Sequence, residues 1–151
     1  MMTTSTRRAP SQVRMTAGSL LAIAAAATLF ALTGCQDTIV KYLGPENKPD
    51  LYIATDSTRY QARELDNVTD VESWTWPHTG TIATVYHHSF VHHGHARITI
   101  EDNVGTIVYN RVPVEFELVN ETLPGVPGDW RVTIELFGAK GRVDFSVARK
   151  R

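Results

Sequence analysis

The chain has a single cysteine in 151 residues. That scarcity excludes a disulfide framework, because one thiol has no partner within the chain. Charge of one sign is also missing. Lys and Arg number 15 against 16 Asp and Glu, a balance with no electrostatic footprint for nucleic acid. The apolar run 17–32 would span roughly 24 Å as a helix, at about 1.5 Å per residue. That falls short of a bilayer's hydrocarbon thickness of about 30 Å, so it is not a permanent membrane span. There is no Gly-x-Ser-x-Gly elbow, no HExxH pair and no glycine-rich phosphate loop. With these absences and a strand-rich chain of this size, binding is expected rather than catalysis. From residue 51 onward no helical period lasts beyond a turn or two, which excludes an α-helical core.

What is present begins with an asymmetry. Residues 1–34 carry Arg7, Arg8 and Arg14 and no acidic residue, so the remaining chain holds 12 basic against 16 acidic residues. A basic leader followed by an uncharged Ala- and Leu-rich segment is the layout of an export signal. The segment ends in Leu32-Thr33-Gly34-Cys35, which resembles the lipobox of bacterial lipoproteins. The resemblance covers the signal region alone. It implies cleavage between Gly34 and Cys35, diacylglycerol on the Cys35 thiol, and a mature protein held at a membrane of the cell envelope by its lipid. Two or three acyl chains give stable anchoring where one is marginal. Gln36 follows the cysteine; in Gram-negative lipoproteins an Asp there favours the inner membrane, so for a Gram-negative host the resemblance implies the outer one. The expected organisation is a signal peptide over 1–34, a lipidated N-terminus and polar tether over 35–50, and one domain over 51–151.

That domain reads as all-β. Ala96, Ile98 and Ile100 alternate with polar neighbours, as do Val114, Phe116 and Leu118, then Trp130, Val132, Ile134 and Leu136, then Val143, Phe145 and Val147. Each run predicts a strand with one face for a core and one for water. Asp102-Asn103-Val104-Gly105 and Gly138-Ala139-Lys140-Gly141 predict turns, the second closing a C-terminal hairpin. The run 122–129, with two Pro-Gly pairs, predicts a longer loop. The expected architecture is a small antiparallel β-sandwich, immunoglobulin-like in general shape.

Three groups of residues are site candidates. All six histidines fall between His78 and His95, and imidazole suits zinc or copper. A hairpin of 82–91 with 95–101 would place His92-His93-Gly94 at its tip, turn His88 into the core and His87 outward. His92, His93 and His95 would then be the candidate metal ligands, short of a four-ligand site. Trp74 and Trp76 share a strand face: exposed, they would stack on a glycan or anchor a protein partner; buried, they are core, the commoner case. Asp56, Asp66, Asp70 and Glu72 lack the spacing of a calcium loop. The terminal Arg149-Lys150-Arg151 reads as a solvated basic tail. The expected activity is that of a lipid-anchored interaction module whose partner is an envelope protein or a glycan, with a metal-handling lipoprotein as the alternative.

Overall fold

A computed structural model of the chain describes residues 39–113 and 118–151. The expected alternation of Val114 and Phe116 lies outside the described residues. Residues Ile39–Arg151 form one compact unit. A short 3-10 turn, Pro45–Asn47, precedes seven strands: β1 (Asp50–Ala54), β2 (Ser57–His78), β3 (Ala83–His87), β4 (Phe90–Glu101), β5 (Ile107–Arg111), β6 (Leu118–Glu121) and β7 (Gly128–Arg149). All pairings between these strands are antiparallel, in one sheet with the order β1-β2-β7-β3-β6; β4 pairs with β7 and β5 with β4. The all-β, antiparallel, sandwich-like class expected from the alternation is the observed one.

The two layers come from bending this sheet. β2 and β7 have 22 residues each; straight, each would run roughly 70 Å at about 3.3 Å per residue, far beyond a domain of this size. They bend together. Their register slips between Ala62 and Asp70 of β2, while β4 slips against β7 between Val91 and His95. Bulges of this kind turn a strand without ending it. Gly94 has a φ of 66°, and a Cβ there would sit 2.3 Å from the carbonyl oxygens of Phe137 and Gly138. Gly141 has a φ of 124°, and a Cβ would fall 2.0 Å from the Phe90 carbonyl oxygen. Only glycine permits both the left-handed backbone and the close approach.

The bend brings β1, residues 57–62 of β2, residues 142–149 of β7, β3 and β6 face to face with the other half of the sheet. Tyr60 stacks on Trp74 with ring centroids 5.4 Å apart, and Trp74 on Phe145 at 6.0 Å. The Trp74 indole N–H donates to Thr58 Oγ1 at 3.0 Å. Ala96, Ile98, Ile100, Trp130, Val132, Ile134, Leu136, Val143, Phe145 and Val147 are all buried, so those runs point as their alternation predicts.

Four expectations are corrected. Gly138–Gly141 closes no hairpin, because β7 runs through it as one strand; its glycines serve the bend. His92-His93-Gly94 is not a hairpin tip, because β4 continues through it and both β3 and β4 pair with β7. The histidine register is consequently inverted: His87 is buried and His88 exposed. The run expected as a tether is docked from Lys41 on. Lys41 N–H donates to Asn67 O and Thr69 N–H to Lys41 O, and Asn47 is buried, its amide donating to Glu64 O.

Candidate functional site

The open mouth of the sandwich lies where β5 of one layer meets β6 of the other. The β4–β5 turn is built on Asp102. Its Oδ1 accepts from the Val104 and Thr106 amides at 3.1 and 2.8 Å, and its Oδ2 accepts from the Val126 amide at 2.9 Å. The Val126 amide first, then those of Thr106 and Val104, hold this carboxyl below the usual Asp range. The 122–129 loop is thereby tied to the β4–β5 turn. Further bonds fix it: Trp130 Nε1–H to Val126 O at 2.7 Å, Gly125 N–H to Thr81 O at 2.8 Å, and Leu123 N–H to Val108 O at 2.8 Å. A loop carrying two Pro-Gly pairs is thus hydrogen-bonded to the elements around it, the arrangement in which loops carry recognition.

Leu123 stands exposed at the rim of a crevice of about 310 Å³, shared with Ile107, Asn110, Arg111 and Glu121, with Tyr109 in its wall. Glu121 also accepts from Lys150 Nζ at 2.7 Å. The apolar rim residues supply contact area, while Asn110, Arg111 and Glu121 supply directional donors and acceptors, the mixture that binding crevices use. Beneath it, Tyr109 Oη meets His87 Nε2 at 2.5 Å, joining β5 to β3 across the sandwich. Burial pushes the Tyr109 phenol up to about 12 and lowers the His87 imidazole. Both are neutral near pH 7, so the crevice is uncharged at its base. Among the described residues, His87 Nδ1 has no hydrogen-bond partner.

The candidates named from sequence sit elsewhere. Trp74 and Trp76 are buried at 7 % and 0 % exposure, so they are core and offer no stacking surface; Trp76 lies against His78 and Trp130. His78 is also buried, its Nδ1 3.4 Å from Asp56 Oδ1. His92, His93 and His95 lie on the bulged stretch of β4: His92 approaches Phe90, His93 opposes Lys140, and His95 stacks on Phe137 at 4.6 Å. Among the described residues no three His, Cys, Asp or Glu side chains are grouped around a common point. The acidic residues are dispersed, with Asp56 bonded to Thr79 and Arg149, Asp66 to Lys41, and Asp70 to the Leu43 amide. Sequence reasoning missed Tyr109 and Leu123, and it turned His87 outward where the structure buries it. An apolar residue left between turn-forming neighbours, as Leu123 is, was the available signal.

No family model matches the chain, and no curated protein matches it. Among solved structures it is similar to recombinant pro-11S globulin of pumpkin, at 14 % identity and a TM-score of 0.37 over 76 % of this chain and 28 % of that one. It is also similar to the coconut allergen cocosin, at 15 % identity and a TM-score of 0.34; 61 % of this chain is covered but only 21 % of cocosin. A chain of the accessory secretory protein 1, 2 and 3 structure from Streptococcus pneumoniae gives 15 % identity and a TM-score of 0.35, over 68 % of this chain and 86 % of that one. Likeness of this degree carries no functional argument.

Proposed function

We propose that the chain is a lipid-anchored protein of the bacterial cell envelope. It is attached through Cys35, with the Gln36 position favouring an outer membrane, and its sandwich is a non-enzymatic binding module. The lipobox-like Leu32-Thr33-Gly34-Cys35 supports the anchor. The observation that carries the binding reading is the β5–β6 crevice, an apolar-rimmed slot with polar side chains from both strands, bordered by a loop that is hydrogen-bonded to Asp102. Its partner is an extended segment of an envelope protein or a glycan. A photo-crosslinking residue placed at Leu123 in growing cells tests this. A discrete adduct, lost on Ile107→Asp and absent with the crosslinker at the exposed Ser73 of β2, separated from β5 by β7 and β4, is the expected result. Identical products from both positions would overturn the reading.

A further inference from the structure

One edge of the sheet is unusually apolar. β2 gives one edge to β7 and the other to two short pieces of chain. Residues 39–41 run beside 67–69, and β1 lies beside 57–61. Ile39, Val40 and Tyr42 are 77, 54 and 71 % exposed, and Leu51 and Ile53 of β1 are exposed too. The lysines of this edge are neutralised in pairs, Lys41 with Asp66 and Lys48 with Glu64. Edge strands in water are ordinarily blunted by charge, proline or a bulge. β1 has none of these beyond Asp50 at its start.

The sequence places a lipid attachment point next to this edge. Cys35 precedes Ile39 by four residues, a chain length of at most roughly 14 Å at about 3.5 Å per residue. That is the scale of the headgroup layer plus a short gap. We infer that the edge formed by residues 39–42 and β1 rests in the lipid headgroup layer. The sandwich then stands edge-on and its β6 side faces away. The inference rests on the lipoprotein reading above. Acyl chains at Cys35 keep the edge at the surface, and burial of Ile39, Val40, Tyr42, Leu51 and Ile53 adds an apolar contact that a free tether lacks. Tyrosine suits that depth, with an apolar ring and a wet hydroxyl. In the sheet order β6 is four strand spacings from β1, roughly 19 Å at about 4.8 Å each, which keeps the crevice clear of the lipid. Because Lys41 and Lys48 are already paired with Asp66 and Glu64, no free lysine of this edge is left to draw it to anionic lipid, and the contact is apolar and insensitive to salt.

The test uses the full protein extracted with its own anchor and reconstituted into phosphatidylcholine vesicles. Single cysteines Tyr42→Cys, Ile53→Cys, Val119→Cys and Ser73→Cys each carry an environment-sensitive fluorophore, and the lipid carries a quencher. The expected result is blue-shifted emission and several-fold stronger quenching at positions 42 and 53 than at 119 and 73, unchanged in high salt. All four sites are exposed, and circular dichroism verifies each fold. Equal quenching at all four positions would overturn the inference. So would a dimer by light scattering whose interface protects 42 and 53, since the occupant would then be a second copy. Intact mass separates the two levels. An unmodified Cys35 removes the lipoprotein reading itself, whereas an acylated Cys35 with unquenched labels removes the orientation alone.

Discussion

Lowering the pH from 8 to 5 should destabilise the domain through two buried imidazoles. His78 and His87 are 1 and 2 % exposed. Burial lowers both pKa values; at His78 it outweighs the opposing pull of Asp56. The unfolded chain takes up protons at an ordinary His pKa of about 6.5, while the folded one resists. Stability from these groups is therefore complete above about pH 6.5 and is lost as pH falls below it. Each neutral buried imidazole contributes a limiting slope of about 1.4 kcal/mol per pH unit, and the pair about 2.7. Against a domain stability of about 5–15 kcal/mol, one pH unit removes a large share. Asp56 and Asp102 act in a lower window. Burial raises Asp56, but Thr79 and Arg149 more than offset it, and backbone amides lower Asp102. Their stabilisation is present above an ordinary Asp pKa of about 3.9 and is lost below it. Urea midpoints measured at intervals from pH 8 to 5 should fall steeply below about pH 6.5 at constant m. His87→Gln should halve the slope. A slope that persists in a His78→Gln/His87→Gln double variant would refute the reasoning.

Tyr109→Phe removes the partner of His87 Nε2 and should cost about 1–3 kcal/mol, the expense of a buried polar group left unpaired; urea unfolding at pH 7.5 checks it. Gly141→Ala should cost at least about 1–3 kcal/mol in backbone strain at a φ of 124°, and more because the added Cβ meets the Phe90 carbonyl at the bend; the variant should melt lower than Gly105→Ala, which has a positive φ of 84° too but whose Cβ meets nothing within 4 Å. Asp102→Ala should free the 122–129 loop, seen as faster hydrogen exchange at the Val104, Thr106 and Val126 amides and weakened crosslinking from Leu123.

Much of the fold was legible because alternation reports burial directly. Phe145 and Ile98 point inward whatever strand they pair with. Connectivity was less legible, and the glycines explain why. Positive φ serves a tight turn and a bulge equally well, so Gly138 and Gly141 signalled a hairpin where the strand bends and continues. The same ambiguity at Gly94 produced a false β3–β4 hairpin. Since side-chain direction alternates with a period of two, that single error exchanged the sides of His87 and His88. The crevice was not legible, since it depends on β5 and β6 approaching from opposite layers. Trp74 and Trp76 share a face as their spacing requires, and only the bend shows that this face is inside.

Whether the protein works at a membrane surface turns on Cys35. Cells grown with labelled palmitate and analysed by mass spectrometry of the purified protein put it to the most direct test. The account predicts label on a mature chain that starts at Cys35. An unlabelled protein that still carries residues 1–34 would contradict it.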